Sequence, residues 1–207
     1  SITANYLESD RDYLRNGVPL PLIRRRFLES RHFAHGVRVV ATTAKSASNN
    51  MILATAEGFA IDFECAPDEA FALYPDDGLI VHANHWRSPV ALAKLRETGL
   101  AAVPDSVYRD WRVEQLLKAK SGAITVEDIK NTLFDDFGTP FSICRPAREG
   151  SGGSISATVA MIVMVPAEGS MEVMPLPAQR SRFTRYALAT AREPARRLAG
   201  SAGSPAR

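Results

Sequence analysis

The chain has 207 residues, 45% of them hydrophobic and 23% charged, with two cysteines and a formal charge of +2. That composition excludes a disordered chain and a disulfide scaffold, and the sequence holds no run of roughly 18 apolar residues that would span a membrane. The first 30 residues have no apolar signal-peptide core, so a reducing, cytoplasmic location is expected.

The charge is uneven. Residues 180–207 hold seven arginines against Glu193 alone, so this end carries +6 and the remainder −4. A basic end of this kind supports no nucleic-acid reading for the body of the chain. We expect one domain over residues 1–190 and a flexible Ala/Arg/Gly/Ser tail over 191–207. The opening "SITANYL" reads as a strand already under way, which points to a fragment or a processed chain.

"PLPLIRRRFLES" carries Ile23 and Phe27 at helical spacing behind a proline start, and "HFAHGVRVVATT" continues the helical period. The period then shortens. "NMILATAEGFAIDFECAPDEAFALYPDDGLIVHANH" breaks into apolar runs separated by Glu-Gly, Pro-Asp and Asp-Gly turns, which predicts a β-meander of about four strands. "SPVALAKLRETG" opens with a Ser cap and a Pro at the first helical position. "VPDSVYRDWRVEQLLKAKSG" and "TVEDIKNTLFDD" predict two more helices, the second with Thr125 and Asp128 as a capping box. "PFSICRP", "SISATVAMIVMVP" and "SMEVMPLP" read as strands, the first two split by the loop "REGSGGS". Hairpins, a helical block and further strands indicate α+β with a mostly antiparallel sheet.

Few residues in this pattern carry chemistry. His82 and His85 lie three apart, but a strand would turn them to opposite faces, so no metal site is expected there. His32 and His35 read as surface or capping groups, and Trp86 and Trp111 as core aromatics. Asn84, at the end of an apolar run, is either a turn residue or an amide donor pointed into a pocket. Arg145 needs a carboxylate or carbonyl partner if it is buried. Cys144 reads as a structural thiol opposite Arg145. The sequence lacks a GxGxxG after a strand, a Walker motif and a GxSxG elbow, so no cofactor is expected.

"SASNNMILATAEGFAIDFECAP", "DDGLIVHANHW", "LFDDFGTPFSICRP" and "ATVAMIVMVPAEGSMEVMPLP" follow one another in an order that resembles the isopenicillin N acyltransferase-like family of N-terminal nucleophile hydrolases. The resemblance spans about residues 19–178 and rests chiefly on the VHxNH and SICR motifs. It implies a four-layer αββα sandwich, here incomplete at its amino-terminal end. It also implies autoproteolytic processing that exposes an N-terminal cysteine, whose thioester passes an acyl group to an amine or to water. By the same resemblance Asn84 is the oxyanion donor, and Arg145 holds an acidic partner near the nucleophile. Acyl-coenzyme A enters as substrate, not cofactor, with an amine as small-molecule acceptor.

The departures are specific. No cysteine precedes Cys65, so the nucleophile and its partner aspartate are expected upstream, on the same or a separate amino-terminal chain. The histidine that follows SICR in the family is Pro146 here, and a tyrosine is replaced by Met51. Ser1 with a free amine is chemically competent as a nucleophile, yet it aligns with an interior strand. The competing expectations are therefore an acyltransferase or amidohydrolase part and a non-catalytic fragment or binding module, with a separate amino-terminal chain or a second copy in a homo-oligomer as the candidate protein partner; neither involves nucleic acid or membrane.

Overall fold

The computed structural model describes residues 1–149, 153–177, 179 and 182–189. The expected tail over 191–207 lies outside the described residues. Helices and antiparallel sheets segregate along the chain, giving the α+β class.

The first sheet has the order β1 (Ile2–Tyr6), β2 (Asn49–Ala54), β3 (Ala60–Cys65), β4 (Ala70–Leu73), every neighbour antiparallel. "SITANYL" is thus a strand, paired from Ile2 opposite Leu53 to Tyr6 opposite Asn49. The period of two sorts the side chains by face. Met51, Leu53, Ile61, Phe63 and Cys65 form a core against α1 (Leu20–Leu28) and α2 (Phe33–Thr42). Ile23 and Phe27, one turn apart on α1, enter this core, each contributing about 1.5–3 kcal/mol by burial. The two helices approach closely because Gly36 faces the Phe27 ring, which a β-carbon there would meet at 2.6 Å.

The opposite face of the same sheet is polar. Asn5 pairs with Asn50, Asn50 with Glu64, and Asp62 lies two residues from Glu64, so all four share that face. Asn50, Asp62 and Glu64 are nonetheless fully buried, beneath the segment 79–88.

That segment is the first correction. "GLIVHANH" is not a fourth strand of the meander. Asp77 and Gly78 take the positive φ values of an Asp-Gly hairpin turn, but only the Asp76–Leu79 bridge follows. Side chains intercept the backbone donors that a strand partner would use. Ala83 N–H donates to Asp110 (2.9 Å), Asn84 N–H to Ser106 (2.6 Å), Trp86 N–H to Glu97 (2.9 Å) and Ser88 N–H to Glu64 (2.9 Å). The fourth strand of the sheet is β1.

The expected helix at "SPVALAKLRETG" is one turn, α3 (Pro89–Leu92), capped by Ser88 accepting from Ala91 N–H. α4 (Asp105–Lys118) and α5 (Val126–Leu133) match their periodicity, and Thr125 and Asp128 form the reciprocal capping box. "PFSICRP" is not a strand: Cys144 N–H donates to Asp135 O and Arg145 N–H to Thr158 Oγ1, loop contacts without ladder register. β5 (Arg148–Glu149) and β6 (Ile155–Ser156) make a short ribbon, and β7 (Ala160–Val165), β8 (Ser170–Pro175) and β9 (Thr184–Ala187) a third antiparallel sheet. α5 closes on that sheet around Cys144, Met161 and Met174. Trp86 is buried in its own cluster with Leu7, Phe71 and Leu95, whereas Trp111 is exposed, contrary to its expected core position.

Candidate active site

The segment 82–88 is suspended between the polar face of the first sheet and helix α4. Glu64 anchors it from below. Its Oε1 accepts from His82 Nε2 at 2.8 Å and from Arg87 N–H, and its Oε2 accepts from Ser88 N–H. The His82 side chain is fully buried, and its Nδ1 also meets the Ala83 carbonyl at 3.0 Å. Burial alone lowers the affinity of such an imidazole for a proton. The Glu64 hydrogen bond and the Asp62 and Glu64 charges outweigh it, so the His82 pKa is raised. His85, half-buried with Nδ1 2.9 Å from Ser106 Oγ, is shifted the other way, chiefly by burial.

α4 holds the segment from above. Ser106 and Asp110 lie four apart on the buried face of the helix and take the N–H groups of Asn84 and Ala83. Asp110 also pairs with Arg87 Nη1 at 3.2 Å. The backbone around Asn84 is therefore fixed by two side chains of one helix and by Glu64 of one strand. Asn5 of β1 adds a bond from its side-chain amide to the His82 carbonyl.

Within this frame the Asn84 amide has a defined orientation. Its Nδ2 donates to Tyr6 O at 3.2 Å, and its Oδ1 accepts from Arg109 Nη2 at 2.9 Å. Arg109 Nε bonds Asp105 Oδ2 at 2.7 Å, and Arg145 Nη2 reaches the same oxygen. Asn84, Arg109, Asp105 and Arg145 form one chain of contacts. The two residues singled out in the sequence are thus joined in one network, and the two that connect them come from the first turns of α4.

The chemistry follows from charge and from unused donors. Two guanidinium groups face one carboxylate, so the network carries an excess of +1. Among the described residues only one Nδ2 proton of Asn84 is engaged, which leaves the second to meet an oxygen bearing negative charge. Burial, followed by the nearby Arg109 charge, lowers the Arg145 pKa, yet a guanidinium stays protonated. Arg148 lies beside the network, stacked at 4.5 Å over the Phe141 ring.

Neither cysteine is placed to attack a carbonyl. Cys65 is completely buried, and burial pushes its thiol up to about 12. Cys144 is 7% exposed and burial raises its thiol too. The thiolate, not the thiol, is the nucleophile. Among the described residues no group of three or more His, Cys, Asp or Glu is arranged to hold a metal.

Sequence reasoning missed Asp105, Arg109 and Glu64, and weighed His82 only as a metal ligand. Asp105 and Arg109 do carry a signal, an acid and a base four apart at a helix start. Asp62 and Glu64 carry another, alternating with Ile61 and Phe63 in a strand whose two faces are both covered.

The family model for acyl-coenzyme A:6-aminopenicillanic acid acyl-transferase matches residues 2–175. The chain belongs to this family. No curated protein matches it. The match takes in both β1 and the SICR segment, so every member of the Asn84 network falls inside it. Family membership indicates acyltransferase chemistry. Among the described residues no helix is long and apolar enough to cross a membrane.

Proposed function

We propose that this chain carries the oxyanion side of an acyltransferase or amidohydrolase active site within an αββα N-terminal nucleophile sandwich. A cysteine outside residues 1–207 supplies the nucleophile. Its thiolate attacks the carbonyl of an acyl thioester or amide, and the tetrahedral oxygen takes the free Asn84 N–H. Collapse expels the donor's thiol or amine with a proton and leaves an acyl-cysteine, which an amine acceptor or water then cleaves. Arg109 and Arg145 contribute the positive field in which the oxyanion forms, and Asp105 fixes both guanidinium groups.

The observation that carries this reading is the oriented Asn84 amide, held between the Tyr6 carbonyl and Arg109 with one donor unspent. The test is release of free thiol from an acyl-coenzyme A thioester by the natural gene product, with and without an amine, in wild type and Asn84→Ala. Turnover that survives the substitution at full rate would exclude this role for Asn84.

A second reading, a binding module that keeps the pocket without its chemistry, is favoured by one observation: both cysteines of the chain are buried thiols. It predicts no thiol release under any of these conditions.

A further inference from the structure

A cavity of about 180 Å3 lies between β3, β4, the segment 79–87 and α4. None of its lining residues belongs to the Asn84 network. Asp62 is the one fully buried residue among them. Asn50 donates to Asp62 Oδ1, whereas Oδ2 has no donor among the described residues, and the buried Oδ1 of Asn50 has none either. Unsatisfied acceptors are costly to bury, and the Asp62 carboxylate, which lines the cavity, calls for an N–H donor.

The walls specify the rest of the ligand. Leu73, Leu79, Ile80 and Val81 line the cavity with aliphatic surface. At the mouth, Lys118 is paired with Asp76 at 2.9 Å and with Glu114 at 2.7 Å, and Arg87 with Asp110 and Glu114. These cations are already neutralised and offer little to an anion. The lining holds three carboxylates against two cations, an excess of −1.

We propose that this cavity binds a primary ammonium group on a short aliphatic body, with the Asp62 carboxylate as its counter-ion and the Leu73, Ile80 and Val81 side chains around its carbons. This inference is independent of the acyl-transfer reading.

The charged groups facing Asp62 are Glu64 on its own strand, His82 from the covering segment, and Asp76, Arg87, Glu114 and Lys118 at the mouth. His82 and Glu64 are joined to each other. Burial, opposed by His82 and by the Asn50 hydrogen bond, pushes the Asp62 carboxyl up to about 6. A bound cation selects its ionised form, so affinity rises with pH as the carboxyl deprotonates.

The experiment is calorimetric titration of the full chain with n-butylammonium and, as a neutral comparison, n-butanol, at pH 5 and pH 7. n-Butylammonium is expected to bind about fivefold to tenfold more tightly at pH 7, and n-butanol not to bind. Asp62→Asn is expected to weaken n-butylammonium binding at least tenfold at pH 7 while the chain still melts cooperatively. Ile80→Phe, which narrows the cavity and leaves Asp62 in place, should weaken it as well and stands in if Asp62→Asn does not fold. Equal binding of n-butanol, a pH-independent affinity, or no binding at millimolar concentration would overturn the proposal and assign Oδ2 to buried water.

Discussion

Asn84 and Arg145 are 61 positions apart in sequence, yet one guanidinium and one carboxylate join them: Arg109 bonds Asn84 Oδ1, and Arg109 and Arg145 meet on Asp105 Oδ2. The arrangement fixes which end of the Asn84 amide faces the open side. An amide held only by its backbone would present oxygen and nitrogen equally, and only nitrogen stabilises an oxyanion.

Asn84→Ala is therefore expected to lower kcat about 100-fold to 1,000-fold with KM little changed, the loss typical of one oxyanion donor. Steady-state kinetics of thiol release measure it. A KM effect alone would assign Asn84 to ground-state binding.

The shared carboxylate makes Arg109 and Arg145 energetically coupled. In a double-mutant cycle of Arg109→Ala and Arg145→Ala by urea denaturation, the two losses should fail to add by at least about 0.5 kcal/mol. Additive losses would mean that each arginine acts without the Asp105 bridge.

Glu64 anchors the whole segment by accepting three donors at zero exposure. Glu64→Ala strands a buried His82 and two backbone N–H groups, so a destabilisation of about 3–5 kcal/mol is expected. Glu64→Gln, which keeps the shape and one acceptor, should cost less. Chemical denaturation orders the three proteins.

How much of this was legible follows from what each residue's neighbours are. The helices α1, α2, α4 and α5 were readable because Ile23 and Phe27, or Thr125 and Asp128, declare themselves within one or two turns. The strand expected at "GLIVHANH" was wrong because its apolar run meets a polar sheet face, and Ser106 and Asp110 capture its N–H groups from 22 and 27 positions away. The same holds for "PFSICRP", whose donors go to Asp135 and Thr158. Asn84 and Arg145 were singled out by motif, but their connection was not, since nothing local to either names Arg109 or Asp105.

Stability should depend on pH through Asp62. Its folded pKa, about 6, lies above the 3.8 of an ordinary aspartate, so its contribution is fully present below pH 3.8 and lost as pH rises through 6. His82, also raised, works in the same sense. Asp62→Asn should match wild type near pH 4 and exceed it at pH 8 by on the order of 2–3 kcal/mol. A difference that does not vary with pH would show that Asp62 does not titrate in this range.

Both thiols should resist modification in the native state. Labelling of Cys65 and Cys144 by a thiol-disulfide reagent is expected to follow unfolding rather than precede it, because both are buried and protonated. Rapid labelling of either in the folded chain would revive it as a nucleophile.

The most direct measurement is peptide-mapped mass spectrometry of the natural gene product after brief incubation with an acyl-coenzyme A thioester and no acceptor amine. The acyl-cysteine mechanism predicts one added acyl group, on a cysteine outside residues 1–207, with Asn84→Ala reducing the rate at which it appears. Acylation at Cys65 or Cys144, or none at all, would contradict it.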